Sequence, residues 1–222
     1  MLLTRRAFLA GLPLAAAGCA TYQAPAARGP QFDPAYLLMY AAVPGEPFPV
    51  PAVDLTQIDP RFFRQEVAYP GNQPPGTVIV DPNARFLYLV LENGRALRYG
   101  VGVGRTEAFN FVGEAVIQRK AAWPTWTPTR DMIAREPDRY GPYAGGLPGG
   151  LDNPLGARAL YLYEDGRDTL YRLHGTNEPW SIGRKVSSGC VRLLNQDIID
   201  LYGRVPVGSR VYVLPSGGYY ES

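Results

Sequence analysis

The chain has 222 residues, room for one domain plus extensions, with 22 basic against 20 acidic side chains and a single histidine. A formal net charge of +2 gives no electrostatic case for a nucleic acid or an anionic surface as partner. Aromatics at 12%, 15 tyrosines among them, beside 25 glycines and 22 prolines predict short strands broken by many turns.

Residues 1–29 read as an export signal rather than as part of the fold. Thr4-Arg5-Arg6-Ala7-Phe8-Leu9 fits the twin-arginine pattern, and the apolar run over 7–17 is too short for a permanent membrane span. The run ends Ala15-Ala16-Ala17-Gly18-Cys19, small residues before a cysteine, which resembles a lipoprotein processing site with Ala16 where a leucine is usual. Lipidation of Cys19 is the expectation, with ordinary cleavage nearby as the alternative. Both place the domain outside the cytoplasm, in the periplasm or cell envelope, touching a membrane only through a lipid at Cys19. Of the two cysteines, Cys190 then lacks a partner in the chain. In an oxidising compartment that excludes a disulfide framework and favours a working thiol.

Residues 30–76 are rich in proline and read as a linker or N-terminal arm. Two patches, 36–40 and 60–67, could instead be short elements packed on the domain. From residue 77 the pattern changes. Strands are predicted over 77–81, 85–92 and 95–103, the last two joined at Asn93-Gly94, a strong hairpin signal. Further strands are predicted over 112–120, 157–163, 169–174 and 210–214. One helix follows residue 194, with Asn195 as its cap and Gly203 as its stop. The sum is a mainly β, antiparallel sandwich or barrel with one or two short helices over 77–215, then a tail at 216–222. No repeat, metal-ligand cluster or phosphate loop is present, and no cofactor is expected.

Between the strands, Trp123-Pro124-Thr125-Trp126-Thr127-Pro128 offers Trp123 and Trp126 as a rigid wall for an extended peptide, loop packing being the equal alternative. The glycine-rich 143–150, beginning at Tyr143, is a candidate mobile lid, and Asn153-Pro154-Leu155-Gly156 is a structural turn. The chemistry concentrates later. His174, in Leu173-His174-Gly175-Thr176, precedes Cys190 by sixteen residues, and the latter sits in Ser187-Ser188-Gly189-Cys190-Val191-Arg192-Leu193. A thiol attacks as thiolate, and a free cysteine with a pKa of about 8.5 is mostly protonated near neutrality. An imidazole within reach removes that obstacle. Cys190 lies too far before the expected helix for its dipole to help, so His174 has to act. Gly189 permits a tight turn that could aim the Ser188, Gly189 and Cys190 amides at one oxyanion.

His-Gly-Thr, a loop, then Ser-x-Gly-Cys-Val-Arg-Leu resembles the L,D-transpeptidases of bacterial cell walls, with their YkuD-type catalytic domain. The segments Thr77-Val78-Ile79-Val80-Asp81, Val101-Gly102-Val103-Gly104, Asn153-Pro154-Leu155-Gly156 and Gly208-Ser209-Arg210-Val211-Tyr212-Val213 extend the likeness in order over about 77–215. The family motif commonly reads Ser-His-Gly-Cys, and here Ser188 replaces that helper histidine. The resemblance implies Cys190 as nucleophile and His174 as general base and acid, oriented by a backbone carbonyl such as that of Gly175. It implies oxyanion support at Ser188 and Gly189. Arg192 would hold a substrate carboxylate, a structural ion pair being the alternative. The implied substrates are peptidoglycan stem peptides, the acyl group passing from a tetrapeptide stem to an amine on a second stem or on an outer-membrane protein. The rivals are water as acceptor, giving an L,D-carboxypeptidase or endopeptidase, and a wall-binding lipoprotein with a dead site.

Overall fold

The computed structural model describes residues 31–106 and 111–215. The expected export signal, its Cys19 and the 216–222 tail lie outside them. In chain order the strands are β1 (Gln65–Ala68), β2 (Val78–Asp81), β3 (Phe86–Val90), β4 (Arg95–Gly100), β5 (Val103–Gly104) and β6 (Gly113–Ala122). There follow β7 (Arg158–Glu164), β8 (Arg167–His174), β9 (Lys185–Ser187), β10 (Val191–Arg192) and β11 (Arg210–Val213). Nine of them form one sheet in the order β1-β4-β3-β2-β11-β6-β7-β8-β10, and β5 pairs with β9 in a second.

The fold is mainly β with few short helices, as the composition predicts. The antiparallel expectation needs one correction: β2 with β11, β8 with β10 and β5 with β9 run parallel. A parallel neighbour requires a crossover rather than a hairpin. The crossover over 175–190 is what returns the chain to the edge of β8 and sets the cysteine segment there. Asn93 and Gly94 turn the β3–β4 hairpin at φ of 59° and 66°, the left-handed pair that matches strand twist.

Inward residues alternate along the strands as a half-buried sheet requires. Val78, Val80, Leu87, Leu89, Leu160, Leu162, Leu173 and Val191 share one core with Ile198 and Leu201 of α4 (Asn195–Arg204). Asn195 is the first helical residue rather than the cap, which is Leu194, and Gly203 lies inside the helix. Lys120 Nζ, from β6, donates to the Tyr202 and Val205 carbonyls at 2.6 and 2.7 Å, satisfying the end that Gly203 was expected to close.

The proline-rich stretch is an arm, not an extended linker. Asp33, Asp54 and Asp59 each accept a backbone N–H two residues on, starting the helix Pro34–Met39 and single turns at Leu55–Gln57 and Pro60–Phe62. Pro34 and Pro60 stand at first helical positions, where a missing N–H costs nothing. Tyr40, Leu55, Phe62 and Phe63 bury themselves against Ile182 and Leu194, and β1 adds an edge to the sheet. The glycine-rich 143–150 is likewise pinned rather than lid-like. Trp126 and Leu147 exchange backbone hydrogen bonds of 2.9 and 2.7 Å. Buried Asn153 donates to the Pro124, Leu147 and Pro148 carbonyls, each at 3.0 Å. Gly149 is glycine because a Cβ would meet the Trp123 backbone.

The arm is also tied to α4 by buried charge. Tyr40 donates to Asp197 at 3.3 Å, and Arg64 lies 3.7 Å from Asp197 and 2.9 Å from Asp200. Burial, opposed by Arg64 and the Tyr40 bond and reinforced by Asp200, pushes the Asp197 carboxyl up to about 7. The folded protein thus keeps to about pH 7 a proton that the unfolded chain releases near 3.8. This contribution to stability is full below 3.8 and is lost as pH climbs through 7. Melting temperatures at pH 5 and pH 8 should differ more in the wild type than in Asp197→Asn; equal differences would contradict the assignment.

Candidate active site

Cys190 and His174 meet through strand register. Val191 pairs with Leu173 and Arg192 with His174 across the parallel β8–β10 ladder. Paired residues face the same way and successive residues alternate. Leu173 and Val191 therefore point into the core, whereas Arg172, His174, Cys190 and Arg192 share the opposite face. That face floors a cleft of about 560 Å³ which Cys190, His174, Ser188 and Arg192 all line. Its far wall is built by α2 (Arg130–Arg135) and α3 (Pro137–Tyr140), two short helices that the sequence reading missed, with Trp126 and Tyr143 between.

His174 is 4% exposed, and its Nδ1 lies 2.6 Å from the Gly175 carbonyl. A carbonyl only accepts, so Nδ1 carries the proton and Nε2 keeps its lone pair. Burial first, then the Arg192 charge, lowers the ring's pKa to about 3 against the pull of the Gly175 bond, with Arg172 adding to the fall. The imidazole is a neutral base over the whole ordinary pH range. Cys190 is a half-buried free thiol. Burial raises its pKa; the Arg172 amide and the Arg172 and Arg192 charges pull it back without cancelling the rise, and Asp168 adds to it. At rest the thiol's hydrogen bond goes to the Leu170 carbonyl, 3.8 Å away, rather than to His174.

The turn before Cys190 is held by a residue that sequence reasoning passed over. Ser187 Oγ donates to the Cys190 carbonyl at 2.7 Å and accepts the Gly189 N–H at 3.1 Å. The Gly189 amide is therefore taken up inside the turn and is not an oxyanion donor. Gly189 instead supplies the left-handed backbone, at φ 132°, that the turn needs. Ser188 Oγ sits 3.5 Å from the Tyr140 hydroxyl, in the position expected of the helper histidine. Only the doubled serine hinted at this clamp, and nothing in the sequence linked Tyr140 to it.

Other expected residues divide. Trp126 and Tyr143 line the cleft with rings 5.8 Å apart. Trp123 does not line it: its indole donates to Glu46 of the arm at 2.9 Å and packs edge-on to Phe48. The loop-packing alternative describes Trp123, whose ring is held by Glu46 and Phe48 of the arm. Arg192 reaches the cleft but spends Nη1 on Glu178, 2.6 Å away, itself a lining residue. Among the described residues no cluster of His, Cys, Asp and Glu could hold a metal ion.

Residues 75–213 match the family described as YkuD, the L,D-transpeptidase catalytic domain. The chain belongs to that family. Within it, the chain is 39% identical over 150 residues to a protein named probable L,D-transpeptidase YbiS from Escherichia coli K12, covering 66% of this chain and 47% of that one. It is 35% identical over 179 residues to the probable L,D-transpeptidase ErfK/SrfK of Salmonella typhimurium, covering 79% and 54%. The chain thus spans about half the length of these curated relatives. A solved structure of a probable carnitine operon oxidoreductase caia from Brucella melitensis is 47% identical, covering 72% of this chain and 99% of that one, with a TM-score of 0.49. The oxidoreductase name is that protein's own; membership of the L,D-transpeptidase family rests on the match over 75–213.

Proposed function

We propose that this L,D-transpeptidase family member remodels peptidoglycan through a thioester on Cys190, passing an acyl group from a tetrapeptide stem to an amine. The observation that carries the reading is the shared face of β8 and β10, which puts one thiol and one neutral imidazole of fixed tautomer on a single cleft floor. A rotation of the Cys190 side chain moves its S–H from the Leu170 carbonyl toward His174 Nε2. As Nε2 takes the proton, sulfur bonds to the substrate carbonyl carbon. The C–N bond then breaks, and the same proton goes to the departing amine of the terminal D-amino acid. In the second half an acceptor amine attacks the thioester, gives its proton to Nε2, and the sulfur leaves as thiol when that proton returns. The Cys190 amide, which takes no hydrogen bond among the described residues, is the donor best placed for the oxyanion, with the Ser188 hydroxyl beside it.

Trp126 and Tyr143 supply flat apolar wall for an extended stem, and the Arg192–Glu178 pair offers a charged site for its carboxylate and ammonium groups. The twin-arginine segment and Cys19 support an exported, envelope-bound protein with an acceptor amine on a second stem or on an outer-membrane protein. Incubation with a disaccharide-tetrapeptide and mass spectrometry of products and protein tests the reading. A cross-linked dimer with loss of one terminal residue is expected. Trimmed monomer alone would make water the acceptor, and an unchanged substrate with no protein adduct would leave only wall binding.

A further inference from the structure

Leu170 is an anomaly in β8. It is 61% exposed yet sits at φ 64°, the left-handed region that a leucine side chain disfavours. No packing of its side chain explains this, so the reason lies in where its backbone points. Its carbonyl faces the Cys190 sulfur at 3.8 Å. Two residues on, the Arg172 backbone amide acts on the same thiol and lowers its pKa.

One side chain fixes both groups. Asp168 Oδ1 accepts the Leu170 N–H at 2.9 Å and Arg172 Nη1 at 2.7 Å, and its Oδ2 accepts Arg172 Nη2 at 2.8 Å. Thr169 completes the bulge, accepting the Tyr171 N–H at 3.2 Å while donating to the Leu162 carbonyl at 2.6 Å. The Arg172 guanidinium is further held 4.4 Å over the Tyr161 ring. Resting on the assignment of Cys190 as nucleophile, we propose that Asp168 is its positioning residue. By capping left-handed Leu170 and clamping Arg172, it presents a carbonyl to the thiol, an amide to the thiolate, and a guanidinium whose charge it partly offsets.

The charged and titratable groups around the sulfur are Asp168, Tyr171, Arg172 and His174 from β8 and Arg192 from β10. Glu178, Asp152 and, across the cleft, Asp131, Arg135 and Arg139 line the same space. Of these only Asp168 both bonds the cradle's backbone and adds negative charge toward the thiolate. Removing its charge while keeping the cap must favour the thiolate; removing the Arg172 charge must disfavour it.

The test is the pH dependence of iodoacetamide alkylation at Cys190 in the full chain, read on the Cys190 peptide by mass. Asp168→Asn should lower the midpoint by about one unit, Asp168→Glu should leave it near wild type, and Arg172→Met should raise it by about one unit. A purely structural role would lower the melting temperature of both variants without opposite midpoint shifts, and that result overturns the proposal. Midpoints that move the same way overturn it too; should Asp168→Asn not fold, Asp168→Ser, which keeps a capping oxygen without the charge, takes its place with the same expected fall. Alkylation needs no wall substrate. A wild type that alkylates as described but forms no acyl adduct would sink the transpeptidase mechanism and leave the cradle standing.

Discussion

On the proposed mechanism the wild-type chain should form a mass adduct with a stem tetrapeptide or a carbapenem-type β-lactam; Cys190→Ala is expected to abolish it and to cut turnover by about 10⁴-fold or more. His174→Ala should cost nearly as much, because the two side chains act as one unit. The pH profile separates this site from a resting thiolate–imidazolium pair. With the ring near 3 and the thiol raised above its ordinary range, neither group changes charge between pH 5 and 8. The rate of acylation should therefore be flat across that range, with loss toward acid only as the ring protonates near 3. An acid limb centred near pH 6 would mean that His174 titrates as an open imidazole, and would refute the buried neutral base. The same shifts constrain timing. Separating charge in the empty cleft is uphill, so in the proposed mechanism proton transfer to Nε2 would accompany C–S bond formation rather than precede it.

That Cys190 and His174 would share a cleft was legible in the sequence, and the scaffolding of that cleft was not. His174 and Cys190 could be read because each is a scarce, reactive residue in a glycine-bearing motif that resembles a known family; the register of Leu173 with Val191 that puts them on one face could not. Strand positions were legible as well: runs such as Phe86-Leu87-Tyr88-Leu89-Val90 alternate with period two, and Asn93-Gly94 can hardly do other than turn. What failed was inference from composition where a specific contact decides. The prolines of 30–76 suit a spacer and a packed arm equally by composition; those at 34 and 60 stand behind aspartate caps as helix starts. Glycines at 146 and 149 read as freedom but exist so that Thr127 and Trp123 can come close. Asn195 read as a local cap because the residue type suits one; its side chain bridges residues far apart in the chain. Ser187 has only its doubling with Ser188 as a hint and Asp168 has none, since a serine or aspartate that bonds backbone two residues away looks like any other until the backbone is seen.

Asn195 leads to the second large expected effect. Its Oδ1 accepts the Ala157 N–H at 3.0 Å and its Nδ2 donates to the Thr176 carbonyl at 3.1 Å, so one amide spans the start of β7 and the strand end that carries His174. Gly175 lies directly against it: a Cβ there would collide with Asn195 Oδ1 and stand 3.0 Å from the Ala157 nitrogen. Gly175 also donates to the Arg158 carbonyl at 3.0 Å and accepts from His174 Nδ1 at 2.6 Å. Gly175→Ala therefore has nowhere to put its methyl except by driving Asn195 out. Overpacking of this kind costs about 1–3 kcal/mol, and two displaced hydrogen bonds add about 1 kcal/mol each. The expected loss is roughly 3–5 kcal/mol in urea denaturation. Activity should drop further than stability explains, because the carbonyl that fixes the His174 tautomer moves with the backbone. Adding Asn195→Ala to this variant empties the contested space. The double variant should be less destabilised than the sum of the two single changes, as expected for residues sharing one cavity. Additive costs, or a Gly175→Ala variant of wild-type stability, would show that the backbone there can yield and that Gly175 is not what fixes the imidazole.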